Sequence, residues 1–231
     1  MIVYLFDIDG TLLRAGGAGS RALSAVMLAR YGVADACAGI AAAGRTDPAI
    51  VADMFARALG RAGTQAEIDA IIDGYLSVLD HELTHGGTLR VLPGAADVLG
   101  WLGARPEVRL AIATGNVRSG ARLKLERAGL AAHFDLDGLG GYGCDSADRA
   151  ELVACAVGRA GAGAGDTVVV VGDTVHDVRA ARAVGAICVA VTTGGDSRAV
   201  LEAEGADVVF DGLAPIVGWH GDTFLLRSGA E

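Results

Sequence analysis

The sequence predicts an α/β fold: a doubly wound parallel sheet core with an inserted all-α domain near its start. Three observations carry this. Short apolar runs alternate with helical patterns through the second half of the chain. Those runs are apolar on both faces, as in a sheet covered by helices on both sides. Between the first run and the others, residues 20–85 show helical periodicity only.

The elements follow in order. MIVYLFD (1–7) reads as the first strand, and RAGGAGS (14–20) as a glycine-rich hinge. RALSAVMLARYG, DPAIVADMFARALG and QAEIDAIIDGYLSVLDHEL carry apolar residues at helical spacing, with Ser20 and Asp47–Pro48 suited to helix starts. Val26, Leu28, Met54, Phe55, Ile71 and Ile72 form the expected apolar core of this block, which closes at Gly86–Gly87. After LPG (92–94) helix and strand alternate. AADVLGWLGA, RSGARLKLERAG, RAELVACAVGRA and VRAARAVG are the helices. VRLAIAT, TVVVVGD and ICVAVTT are strands, HFDLDGL (133–139) is a short one, and ADVVF (206–210) is an edge strand. The predicted division is a core of residues 1–15 and 88–231 and a helical domain of residues 16–87.

Composition narrows the function classes. The chain has 231 residues, 52% of them hydrophobic and 20% charged, enough for a sizeable core and against disorder. No apolar run approaches the roughly 20 residues of a membrane span, and the N-terminal run lacks a basic leader. Cys37, Cys144, Cys155 and Cys188 are scattered without a CxxC pair, as expected of reduced thiols in a cytoplasmic protein. The net charge of −9 disfavours nucleic acid as the main partner, but a local cation can still receive a small anion. The chain is expected to act as a monomer or homodimer.

The chemistry concentrates where strands end. In open α/β sheets, ligands bind beyond the carboxyl ends of the strands. The first strand ends in Asp7 and Asp9, the VRLAIAT strand in Thr114, Gly115 and Asn116, and the TVVVV strand in Gly172 and Asp173, with Asp177 a turn later. Four acids on one edge repel unless a cation intervenes. A hard divalent ion with few protein ligands, retained waters and a phosphate oxygen is the pattern of magnesium. Such an ion masks an anionic substrate and orients it for in-line attack. Acids that merely cap the following helices would explain one strand end, not two.

DIDGT, ATGN and GDTVHD resemble motifs one, two and four of the haloacid dehalogenase-like (HAD) hydrolases, and the inserted helices resemble that family's helical cap. The resemblance runs from Ile2 to about Val217. It implies a Rossmann-like core and a phosphatase mechanism. Asp7 would attack phosphorus, forming a phosphoaspartyl intermediate. Asp9 would protonate the leaving group and then deprotonate water. Asp7, the Asp9 carbonyl and Asp173 would hold Mg2+, with Asp177 a ligand or its support. Thr114, Gly115 and Asn116 would bind the phosphoryl group at a helix N-terminus.

The third motif departs from the family. A lysine is usual there, and this chain has Arg149, 24 residues before Asp173. Arginine can clamp phosphate oxygens. Lys124 is the other candidate: the only lysine in the chain, two turns into the helix after Asn116. Helical side chains lean toward the N-terminus, so Lys124 can reach the same edge. One of the two is expected to be the catalytic cation. Arg45, in GRTD (44–47) between two cap helices, is a candidate for a substrate carboxylate or second phosphate.

Two patterns carry less. HELTH (81–85) fits HExxH zinc spacing, but it ends a helix, where the dipole favours histidine, and no third ligand follows. GAGAG (161–165) precedes a strand, whereas phosphate loops follow one. The expected function is a magnesium-dependent phosphatase of a small phosphorylated metabolite, similar to phosphoglycolate phosphatases. A β-phosphoglucomutase-type mutase, a 2-haloacid dehalogenase and a non-catalytic binding protein on the same scaffold are the alternatives.

Overall fold

A computed structural model describes residues 1–86 and 89–225. The chain begins with β1 (Ile2–Phe6) and β2 (Leu13–Arg14). Three helices follow: α1 (Ala18–Tyr31), α2 (Asp47–Leu59) and α3 (Gln65–His85). The chain returns through β3 (Arg90–Val91), α4 (Ala95–Gly103), β4 (Val108–Thr114) and α5 (Arg118–Arg127). It continues through β5 (Gly141–Tyr142), α6 (Arg149–Arg159), β6 (Thr167–Gly172) and α7 (Val175–Ala183). It closes with β7 (Ile187–Val191), α8 (Arg198–Glu204), β8 (Val208–Phe210) and α9 (Ile216–His220). The expected change from helical domain to core at 87/88 lies outside the described residues.

Six strands form one sheet in the order β5-β4-β1-β6-β7-β8, every neighbouring pair parallel. The alternation within β1 builds both layers. Tyr4 and Phe6 join one buried cluster with residues of α4, α5 and the inserted helices. Val3 and Leu5 join the other, with Leu152 and Val153 of α6 and Val178 of α7. Burial on both faces is why this strand reads as a continuous apolar run. Chain order reverses about β1, with β4 on one side and β6 on the other, so a crevice opens beyond their carboxyl ends.

The inserted helices form the expected all-α unit. Val26, Met54, Phe55, Ile71, Tyr75 and Leu79 are buried together. Leu28 departs from the expected stripe: it is 52% exposed, because it lies on the outer face of α1. Helix α1 starts at Ala18 after a left-handed Gly17, two residues before the expected Ser20. Helix α2 starts at Asp47, capped by the Thr46 hydroxyl accepting from the Ala49 N–H, with proline in its first turn.

The predicted strand over 133–139 is overturned. Ala131–His133 form a short 3-10 turn, and the Asp135 carboxylate accepts N–H bonds from Asp137 and Gly138, which curls the backbone. The sheet edge is instead the two-residue β5. The ribbon of β2 and β3 was not anticipated. It pairs Leu13 with Val91 and Arg14 with Arg90, antiparallel, where the chain leaves and re-enters the core. Two residues per strand are too few to read as a sequence pattern.

Candidate active site

Strand β1 delivers Asp7 one residue past its end, where the Asp7 N–H still donates to the Val171 carbonyl at 2.9 Å. The chain then turns sharply. Gly10 has φ +90°, and a Cβ there would stand 2.5 Å from an Asp173 oxygen, so glycine is required. Thr11 donates to Asp173 Oδ1 at 2.8 Å. The DGT turn is therefore built around Asp173, which arrives from β6, 162 residues away.

Asp7, Asp173 and Asp177 are all buried, each offering a carboxylate oxygen within 4.8 Å of the others. Asp177 is fixed at the start of α7: its Oδ2 accepts from the Thr174 N–H at 3.0 Å and the Thr174 hydroxyl at 2.8 Å. Arg149, buried at the start of α6, bridges the group. One guanidinium nitrogen lies 2.9 Å from Asp7 Oδ1 and 2.5 Å from Asp177 Oδ1, and Nε donates to Asp177 at 3.1 Å.

The electrostatics follow from burial. Burial pushes the Asp7 carboxyl up to about 6, Arg149 opposing and Asp177 and Asp9 adding to the rise. Asp173 is pushed up to about 8, by burial first and then by Asp7 and Asp177. Burial disfavours the Arg149 cation, but Asp177 and Asp7 outweigh it and hold the guanidinium protonated. Three acids against one arginine leave excess negative charge in a dry site. The donor set is all oxygen and hard, which suits Mg2+ and not the softer metals.

The other half of the site surrounds the half-exposed Asp9. Lys124 Nζ lies 2.5 Å from Asp9 Oδ2 and donates to Asn116 Oδ1 at 2.5 Å. The Asn116 amide donates to the same Asp9 oxygen at 2.8 Å and to Thr114 Oγ1 at 2.9 Å. Burial opposes the Lys124 charge, but Asp9 and Asp47 raise its pKa above the ordinary lysine value. Both cation candidates thus reach the crevice, each facing a different aspartate.

Asp47 is a member that the sequence reading treated only as a helix start. It is buried, its Oδ2 accepts from the Val117 N–H at 2.9 Å, and its own N–H donates to the Gly115 carbonyl at 2.8 Å. Burial pushes its carboxyl up to about 6, with Lys124 opposing. The inserted domain is pinned to the β4 loop at this point. Gly115 permits it: a Cβ there would stand 2.1 Å from the Arg45 carbonyl. The GRTD string was the available signal, since an acid at a helix start needs no such partner.

Asp7, Asp9, Thr114, Gly115, Asn116, Lys124, Arg149 and Asp173 line one cavity of about 680 Å³, with Leu23, Ile50 and Tyr75 of the inserted helices on its wall. Arg45 lines it too, but its guanidinium is held by Asp53 at 2.6 Å. Tyr75, from α3, is on the wall, and its buried hydroxyl has no partner among the described residues. His81 and His85 lie elsewhere, stacked with ring centroids 4.5 Å apart at the end of α3. GAGAG lies in the turn between α6 and β6, away from the cavity. No helix among the described residues is long and apolar enough to cross a membrane.

Comparison with known proteins bears on this geometry. The model of the haloacid dehalogenase-like hydrolase family matches residues 4–182, and that of the HAD-hydrolase-like family matches residues 149–216. The chain is 28% identical over 216 residues to a "Probable phosphatase IndB" of Dickeya dadantii, covering 94% of this chain and 92% of that protein. A hydrolase from Pseudomonas syringae has a similar structure, with TM-score 0.69 and 20% identity over 96% of this chain and 99% of that one. So has a predicted phosphoglycolate phosphatase from Haemophilus somnus, with TM-score 0.68 and 18% identity over 94% of this chain and 96% of that one. At those identities the structures speak to the fold alone. The family match spans more than half of the sequence and includes both aspartates that follow β1, the β4 loop and the acids that follow β6, so the chain belongs to the haloacid dehalogenase-like hydrolases.

Proposed function

We propose that the chain is a magnesium-dependent phosphatase that hydrolyses a small phosphomonoester through a phosphoaspartyl intermediate on Asp7. The observation that carries this is the division of labour between two aspartates of one turn. Asp7 is buried among Asp173, Asp177 and Arg149, while Asp9 is half-exposed against Lys124 and Asn116. A nucleophile and an acid/base need different surroundings, and these two have them.

Asp7, Asp173, Asp177 and the Asp9 carbonyl would hold Mg2+, which supplies charge neutralisation for the substrate phosphate when bound. Arg149 keeps Asp7 ionised and oriented toward phosphorus. Thr114 and the N–H groups of Gly115 and Asn116 bind the non-bridging oxygens. Asp7 attacks phosphorus as the P–O bond to the leaving alcohol breaks. Asp9 gives its proton to that oxygen and then takes one from the water that cleaves the acyl phosphate. Lys124 and Asn116 hold one Asp9 oxygen and leave the other for this transfer.

In this reading Arg149 fills the third-motif role, because it touches both Asp7 and Asp177, and Lys124 serves Asp9. Arg45 secures the cap loop through Asp53. The cap, residues 16–87, covers the core, residues 1–15 and 88–231, and reads the leaving group. Similarity to phosphoglycolate phosphatases points to a small, anionic leaving group.

The test is a panel of phosphorylated metabolites assayed for phosphate release and for isomerised product, with Mg2+ and with chelator. Magnesium-dependent release, abolished in Asp7→Asn with the fold retained, is the expected result. Full activity in Asp7→Asn overturns the nucleophile assignment, and isomerisation without release makes the protein a mutase.

A further inference from the structure

We propose that Arg14 and Arg90 form a second anion subsite at the mouth of the cavity, one that takes an oxyanion, carboxylate or phosphate, carried by the leaving group. The inference rests on the phosphatase reading for its reacting phosphoryl group, and adds the substrate class.

The β2–β3 ribbon sets the two residues directly opposite each other. Directly paired residues of an antiparallel ladder point to the same face, with Cβ atoms roughly 4.5–5.5 Å apart. Like charges so placed destabilise the pair. Both arginines line the cavity that holds Asp7.

Among the described residues, neither is neutralised by a protein acid. The chain has 28 acidic residues against 19 basic ones, and several arginines pair with them, such as Arg21 with Glu82 and Arg179 with Glu204, while others, such as Arg57 and Arg109, donate only to carbonyls; Arg14 and Arg90 differ in being paired with each other at the cavity. Among the described residues Arg14 makes no ion pair; its Nε and Nη2 donate to the Thr193 carbonyl, which orients the guanidinium without cancelling its charge. Arg90 has neither a hydrogen bond nor an ion pair from its side chain among the described residues. In an acidic protein, two facing arginines without counter-ions beside a substrate cavity mark a place for a ligand anion. The fork of each guanidinium matches two oxygens of a carboxylate or phosphate.

The position suits the role. The ribbon is the crossing between core and cap, so an anion held there contacts both chain crossings while the phosphoryl group sits at Asp7. The cavity volume of about 680 Å³ leaves room for both groups in one ligand. A phosphomonoester with a second anionic group is thereby favoured over a neutral sugar or alkyl phosphate.

The test is titration calorimetry of the full chain with Mg2+, using ω-phosphonocarboxylates against alkylphosphonates of equal length, over a series of lengths. Wild type should bind the best carboxylate about tenfold tighter than its neutral match, the gain of one partly exposed charge-assisted contact. Arg90→Gln should erase that preference, Arg90→Glu should reverse it, and Arg90→Lys should keep part of it. A bisphosphonate arm identifies the second group as phosphate if it exceeds the carboxylate. No preference in wild type, or equal weakening of both ligands in Arg90→Gln, overturns the subsite. Hydrolysis of p-nitrophenyl phosphate by wild type is read separately: its absence speaks against the phosphatase reading, while the phosphonate preference still decides the subsite.

Discussion

Replacing Arg149 by methionine tests the electrostatic reading of the site most directly. The side chain is buried and contacts Asp7 at 2.9 Å and Asp177 at 2.5 Å. Methionine roughly fills its volume, so the lost term is charge and not space. Removing one partner of a buried ion pair costs about 3–5 kcal/mol, because the other charge is left unsolvated. Here two carboxylates are stranded, with Asp173 beside them, so the upper part of that range applies in chelator. For a chain of this length about 1 kcal/mol moves the midpoint by about 2–4 °C, which puts the expected fall at about 10–20 °C. Magnesium, binding the same acids, should restore part of the loss. Turnover should still fall by about 10²–10³, the usual effect of removing one charge-stabilising donor. The assay is thermal unfolding with chelator and with Mg2+, beside phosphate release. A midpoint within about 3 °C of wild type in chelator would refute the claim that Arg149 neutralises the buried acids.

Other outcomes follow from the same geometry. The Asp7 and Asp173 carboxyls are raised by burial, so the folded state holds their protons more tightly than the unfolded chain. Without metal, stability should therefore fall as pH rises from about 4 to about 8, the penalty being complete only above the folded-state values. Stabilisation by Mg2+ should grow over the same window, because binding needs both acids deprotonated; a pH-independent increment in thermal unfolding would contradict this. Arg149→Met should move the acidic limb of the pH–rate profile to higher pH, because Arg149 opposes the burial that raises the Asp7 carboxyl, whereas Lys124→Met should lower turnover through Asp9 and leave that limb in place; identical profiles would merge the two roles. Gly115→Ala places a Cβ 2.1 Å from the Arg45 carbonyl and should loosen the cap loop, raising protease cleavage near residues 42–47, with an unchanged digestion pattern as the refuting result.

The sequence by itself determined the sheet, the insertion and the position of the acids. Their signal is local: MIVYLFD and TVVVV are buried on both faces, and a strand so buried must be apolar throughout. The acids stand at strand ends, where the parallel order alone brings Asp7 beside Asp173. Short irregular elements were not legible. The two-residue ribbon has no period to detect, and 133–139 looks like a strand until Asp135 captures the backbone. The partners of charges were not legible either. Lys124 and Arg149 were interchangeable as letters, and only their approach directions separate them: one descends α5 onto Asp9, the other opens α6 beneath Asp7 and Asp177. Asp47 read as a helix start because its second task, accepting from Val117 seventy residues later, exists only once the cap is folded over the core. Which residues are apolar is fixed by burial and written locally; which charge neutralises which is fixed by distances that only tertiary packing creates.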